Sequence, residues 1–116
     1  MRAIDFCESV VNILLTHGWC KRSMLDGKGR SCLLGAIGRA AGIVTEKTRP
    51  STDVYNKIGG WLIQHPDIDR ALRAECAAAK TCGFHLLDNV IYYNDNRCFN
   101  DSDAINFIER VKNRLS

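Results

Sequence analysis

Apolar side chains recur at steps of three and four residues along most of this chain, and glycine, proline or asparagine interrupts each run. In the first run, Ile4, Cys7, Val11 and Leu14 share one helix face before Gly18. This period is that of an amphipathic α-helix. The pattern predicts helices over about 3–16, 32–41, 52–64, 68–82, 84–93 and 101–115. We therefore predict a compact all-α domain of five to six short helices over residues 1–116.

Local signals refine where these elements begin and end. Asp26-Gly27 is a favoured two-residue turn, so a small β-hairpin near 22–32, with arms 23–25 and 30–32, is compatible with the helical pattern. Ser31 is expected to cap the second helix, and residues 94–96 are expected to form a turn after the fifth. Asn100, followed three residues later by Asp103, predicts a capped start for the last helix.

Glycine pairs inside two of the predicted helices demand an explanation. Gly35 and Gly38 in the second helix, like Gly59 and Gly60 in the third, weaken the helix propensity of their segments. Such residues mark a close approach of another element or of a ligand, and the second pair could also mark a kink. We expect close packing at the first pair.

Length and composition place the chain among ordinary globular proteins. It has 116 residues, 46% of them apolar, and a net charge of +3. Arg2, Asp5 and Glu8 interrupt the apolar region that a signal peptide would need, and no apolar run is long enough to span a membrane. We expect a cytoplasmic protein. The six cysteines are then expected to be thiols, with Cys7 and Cys76 in the core.

The positive charge is concentrated in one third of the chain. Residues 21–49 carry seven basic and two acidic side chains, whereas residues 51–116 carry eight basic and nine acidic ones. A local positive field favours an anionic partner, although a charged loop surface also serves solubility alone.

Three short motifs resemble a known family. They are Gly18-Trp19-Cys20, then Cys32-Leu33-Leu34-Gly35-Ala36-Ile37 with Ala40, and Tyr93-Asn94-Asp95 ahead of Asp103-Ala104-Ile105. Together they are similar to a small family of bacteriophage and actinobacterial proteins known only as a domain of unknown function. The resemblance implies a phage or prophage setting, with the host cell's cytoplasm as the location, and no assigned chemistry. The family pattern has Trp where this chain has Tyr93, and its Gly-Trp pair does not always follow histidine, which argues against a mechanism that needs His17.

The first candidate site is the junction between the basic loop and the second helix. Free backbone N–H groups at a helix start, glycines and cationic side chains are the components of anion recognition. The predicted ligand-binding residues are Lys21, Arg22, Lys28, Gly29, Arg30, Ser31 and Cys32. The spacing is not that of a Walker loop, so the alternative is a capped helix behind a charged turn.

The second candidate is a cysteine nucleophile. Cys32 at a helix start beside Arg30 would have a lowered pKa if it were exposed. His17 would be the base, and Asn94 or Asp95 would orient it. Leu33 and Leu34 favour the alternative, a thiol turned into the core.

The third candidate is a zinc ion. His17 and Cys20 form one pair with ligand spacing, and Cys82 and His85 form another, so together they would complete a tetrahedral site. The simpler interpretation is that these histidines are surface residues, and we expect no cofactor.

These observations favour a non-enzymatic, phage-type accessory protein that takes part in host interaction or anti-defence. Its partner would be a host protein or a phosphorylated small molecule or nucleotide, bound through residues 21–32. We expect neither a membrane nor a nucleic-acid partner, because the net charge is small and no helix has a continuous basic face. A homodimer is left open. The alternative function is a small cysteine-dependent hydrolase or transferase using Cys32.

Overall fold

Six α-helices make up most of residues 2–81 and 83–116, the part of the chain that the computed structural model describes. Their bounds are α1 Ala3–His17, α2 Leu33–Ala40, α3 Thr52–Ile63, α4 Pro66–Ala78, α5 Leu86–Arg97 and α6 Asp101–Arg114. The all-α fold is thereby confirmed. None of the described helices combines the length and apolar character needed to cross a membrane.

Helices α3 and α6 begin at polar side chains that cap them, which lowers the cost of unpaired amides. The Ser51 hydroxyl accepts a hydrogen bond from the Val54 amide at the start of α3. At α6, the Asn100 side chain accepts from the Asp103 amide at 2.9 Å, and the Asp103 carboxylate accepts from the Phe99 amide at 2.8 Å. The predicted cap of the last helix is confirmed.

Two local predictions are wrong. Cys32, not Ser31, caps α2, with its sulfur accepting from the Gly35 amide at 3.3 Å. Residues 94–96 are not a turn but lie within α5. Asparagine disfavours helices by bonding its own backbone, and here the Asn94 side chain is instead taken up by distant partners.

The loop between α1 and α2 is a distorted hairpin. Leu25 and Ser31 form an antiparallel bridge, and Ser31 also forms a parallel bridge with Trp19. The predicted arms are therefore correct, but the Asp26 amide bonds the Arg30 carbonyl, so the turn is longer than two residues. The Asp26 side chain closes this longer turn by accepting from the Lys28 and Arg30 amides, each at 2.9 Å.

The core lies where α1 meets α2 and α6. Its largest fully buried side chains include Phe6, Leu14, Leu33 and Phe107. Each such side chain stabilises the fold by about 1.5–3 kcal/mol relative to an exposed position. The predicted core positions of Cys7 and Cys76 are confirmed, and the five cysteines that the structure describes are free thiols.

One buried carboxylate ties α4 to α6. Glu75 accepts hydrogen bonds from Arg110 Nε at 2.7 Å and from Arg114 Nε at 2.6 Å, and Arg110 also donates to the Tyr93 hydroxyl. Burial favours a raised pKa for Glu75, but the two guanidinium groups outweigh it and hold this pKa below its ordinary value. The ionised carboxylate therefore stabilises the helix pair.

Helix α3 packs against the rest of the molecule through Trp61 and two buried aliphatic side chains. Trp61 stacks between Phe6 of α1, at 4.6 Å between ring centres, and His65, at 3.8 Å. Ile58 and Leu62 of the same helix are fully buried. The other side of α3 therefore faces away from the core.

Candidate functional site

The side chain of Asn94, almost fully buried in α5, joins segments that are far apart in the sequence. Its Oδ1 accepts from Trp19 Nε1 at 2.7 Å and from the Leu33 amide at 2.9 Å. Its Nδ2 donates to the Cys20 carbonyl at 3.2 Å and to Asp95 Oδ1 at 3.1 Å. Two acceptor positions and two N–H groups are all that a primary amide offers, so Asn94 is saturated. We call this set of five residues the Asn94 clamp.

The clamp fixes the loop of residues 18–32 at more than one point. Asp95 Oδ1 accepts from the Arg22 amide at 2.8 Å. Arg22 has φ +65°, a backbone conformation that residues other than glycine rarely adopt. The hydrogen bond from its amide to Asp95 therefore holds a strained residue in place. Gly18 has φ +88°, and a Cβ there would lie 3.0 Å from the Arg30 side chain. The loop is therefore rigidly placed rather than loosely exposed.

The start of α2 is sealed by the protein itself. The Leu33 amide is bonded by Asn94 and the Gly35 amide by Cys32, and every residue from 31 to 38 is buried. A Cβ on Gly35 would lie 2.2 Å from the Met24 carbonyl oxygen, because the loop passes directly over the helix. The expectation of open amides at this helix start is wrong, and Ser31 and Cys32 lie beneath the surface.

Arg30, predicted to meet a ligand, already has a carboxylate partner. Its Nε donates to the Asp26 carboxylate, which also accepts from the Lys28 and Arg30 amides. Burial favours a raised pKa for Asp26, but these hydrogen bonds prevail and lower it. The charge of Arg30 is therefore largely neutralised within the loop. Gly29, with φ +80°, serves the turn.

Three of the predicted cations remain available to a partner. Among the described residues, the side chains of Lys21, Arg22 and Lys28 form no ion pair, although Lys21 Nζ lies 4.9 Å from the centre of the Phe99 ring. Phe99 is 75% exposed. We call the side chains of Lys21, Arg22, Lys28 and Phe99 the basic surface. It combines fixed positive charge with an exposed aromatic ring.

The proposed nucleophile lies in an unfavourable setting. Cys32 is buried, and burial raises the pKa of its thiol, so the exposure that a lowered pKa required is absent. Asn94 and Asp95 do line a small cavity of about 70 Å³ with Cys32. The Asn94 amide is saturated, however, and the exposed His17 makes no hydrogen bond to any of these residues within the described chain. This geometry favours a structural role for Cys32 as a helix cap.

The proposed zinc ligands are His17, Cys20, Cys82 and His85, of which Cys82 lies outside the described residues. Cys20 is buried, its thiol donates to the Ser23 carbonyl at 3.2 Å, and burial raises its pKa to about 12. His17 and His85 are exposed. Residues 2–81 and 83–116 contain no group of three or more histidine, cysteine or acidic side chains placed to hold a metal.

Sequence reasoning named Asn94 and Asp95 only as alternatives for orienting a base, and it missed that they hold the loop. The available signal was the set of three short motifs that carry the family resemblance. Trp19, Leu33 and Asn94 belong to one motif each, and all three meet in the clamp.

The fold and this site define a small helical domain in which a buried asparagine holds a basic loop. The chain belongs to the family described as "Family of unknown function (DUF6197)", which matches residues 1–114. The resemblance to a domain of unknown function is confirmed at that level. No curated protein and no solved structure matches the chain.

Proposed function

We propose that the protein is a binding protein that recognises an anionic partner through the basic surface of Lys21, Arg22, Lys28 and Phe99. The observation that carries this proposal is the contrast within one loop. The Asn94 clamp fixes its backbone with hydrogen bonds to Asn94 and Asp95, while these three cations have no acidic partner among the described residues.

Rigidity matters for recognition because ordering a flexible loop on binding costs free energy. A long side chain that is immobilised costs about 0.5–1.5 kcal/mol, and a mobile backbone costs more. A loop that is fixed before the encounter avoids the backbone part of this cost. Charge that is not paired within the protein also raises the association rate with an oppositely charged partner.

The chemistry of the surface favours phosphate or carboxylate groups on the partner. Arg22 offers a planar donor group, and Lys21 and Lys28 offer compact charges. Phe99, exposed beside Lys21, adds an apolar contact that a free inorganic ion would not use. In the phage setting implied by the sequence resemblance, the partner would be a host macromolecule, and the protein would be a non-enzymatic accessory factor.

Charge reversal at two positions tests the proposal. In Lys21→Glu/Lys28→Glu, no described ion pair is lost, so the fold should persist with an unchanged helical circular dichroism spectrum. We expect this variant to elute from immobilised heparin, a polyanion used as the probe, at clearly lower salt than the natural protein.

Lys47→Glu/Arg49→Glu is the matched control, because it changes the net charge equally in an exposed loop outside the basic surface. It should elute close to the natural protein. Equal shifts for both variants would show that only net charge matters and would contradict the proposal. Native mass spectrometry of the protein recovered from its natural host would then identify any bound partner.

A further inference from the structure

An open apolar groove lies between α3 and α5. It has a volume of about 610 Å³, and α4 closes one end with Asp69 and Arg73. Its apolar lining includes Tyr55, Gly59, Ile63, Leu86, Leu87 and Ile91. Ile63 is 75% exposed, which is a high exposure for an isoleucine beside other apolar residues.

The two glycines in this groove have no explanation within the described chain. A Cβ on Gly60 would meet no atom within 4 Å, and a Cβ on Gly59 would make only an ordinary contact with Leu87 at 3.7 Å. Each glycine costs a helix interior about 0.5–1 kcal/mol relative to alanine. Another molecule can therefore approach the backbone of these two glycines closely.

An exposed apolar side chain adjoins the groove in the sequence. Phe84 is fully exposed and directly precedes His85, which lines the groove. A recess and an apolar projection on one face are what a two-fold interface requires, because each copy must offer both halves of the contact.

The charges around the groove fit a second copy better than a strongly charged partner. Arg73 and Asp69 form an ion pair at 2.7 Å, and Asp88 lies across the groove on α5. Arg73 is more than half exposed, so a neighbouring carboxylate can reach it. A rim with both signs of charge does not repel its own copy, and a two-fold axis can set Arg73 of one copy opposite Asp88 of the other.

We propose that the protein forms a two-fold homodimer through this groove, with Phe84 of each copy covering Gly59 and Gly60 of the other. The proposal uses none of the cations of the basic surface, and the two proposals are tested by different variants. Loss of the dimer and loss of anion binding are therefore separate outcomes.

Sedimentation equilibrium over a concentration series tests the dimer. The natural protein should approach twice the mass of one chain at high concentration, and Gly60→Arg and Phe84→Ser should each stay at the mass of one chain. Neither substitution meets a packed neighbour, so both variants should fold. Asn12→Arg, at an exposed position of α1, is the matched control and should still dimerise.

Two results would overturn the proposal. One is a natural protein that keeps the mass of one chain at every concentration. The other is a dimer that survives in both groove variants, which would place the interface elsewhere. If the monomeric natural protein binds the apolar dye 8-anilinonaphthalene-1-sulfonate and Gly60→Arg does not, the groove takes a small apolar ligand and the second copy is excluded.

Discussion

The two helices that contain glycine pairs use them in opposite ways. In α2, a Cβ on Gly35 would lie 2.2 Å from the Met24 carbonyl oxygen, and one on Gly38 would lie 2.6 Å from Val44. In α3, the corresponding atoms on Gly59 and Gly60 meet nothing closer than 3.7 Å. The first pair lets the chain pack against itself, and the second leaves a recess.

This difference separates a part of the molecule that holds the fold from a part that is left open at the surface. The loop over α2 is pressed onto Gly35 and fixed by the Asn94 clamp, so its glycines and buried polar groups are structural. The α3 face is fixed by Trp61 on its other side, so Gly59 and Gly60 have no part in the core. The structural role of a glycine in a helix therefore depends on which atoms a Cβ at its position would contact.

The largest expected effect is on the α2 side, in Asn94→Ala. The substitution leaves the Trp19 indole, the Leu33 amide and the Cys20 carbonyl without their buried partner, and it opens a small cavity. We expect a loss of about 4 kcal/mol in the free energy of unfolding. Urea denaturation followed by circular dichroism measures it.

If Asn94→Ala does not fold, Trp19→Phe provides a milder test, because it removes one hydrogen bond and keeps an aromatic ring. Its expected cost is about 1 kcal/mol. A loss below about 0.5 kcal/mol for both variants would show that the clamp is not a main support of the loop.

Gly35→Ala tests whether the loop around Met24 packs tightly against α2. The added Cβ collides with backbone, which cannot move aside as a flexible side chain can, so we expect a loss of about 3 kcal/mol despite the better helix propensity of alanine. The urea midpoint reports the loss. Unchanged stability would mean that the loop is free to lift from α2.

Glu75→Gln tests the ion pairs between α4 and α6, which belong to neither glycine-containing helix. The folded-state pKa of Glu75 lies below its ordinary value of 4.5, so its stabilising contribution is present above that pH and is lost as the pH falls through the folded pKa. We expect the variant to lose about 1–2 kcal/mol at neutral pH and to be less sensitive to acid than the natural protein below pH 4.5. Parallel acid titrations of stability measure both effects. Identical acid profiles would assign acid sensitivity to other carboxylates.

The smallest effect is expected on the α3 side, and it has the opposite sign. Gly60→Ala places a Cβ in open space and improves helix propensity, so we expect a gain of about 0.5–1 kcal/mol in the free energy of unfolding. Thermal denaturation at a concentration low enough for the monomer is the measurement. A loss of stability there would mean that α3 needs glycine for its own shape.

Much of the fold could be predicted from the sequence because amphipathic period and capping residues act over a few positions. The stripe from Ile4 to Leu14 and the Asn100 cap predicted α1 and the start of α6 correctly. The turn predicted at residues 94–96 was wrong because the partners of Asn94 are up to 75 positions away in the chain. Local rules carry no information about them.

The candidate site was only partly predictable for the same reason. Lys21, Arg22 and Lys28 were identified from the clustering of charge, which the sequence displays directly. The internal neutralisation of Arg30 by Asp26 and the burial of Ser31 and Cys32 were not, because they depend on how the loop folds back onto α2.

The sequence by itself determined that this chain is helical and that its excess of positive charge lies within residues 21–49, because both follow from the order of neighbouring side chains. Only the tertiary structure decided which polar groups are paired within the protein and which face solvent. Burial and hydrogen bonding between distant segments determine this pairing. They place the start of α2, where an anion site was predicted, inside the core.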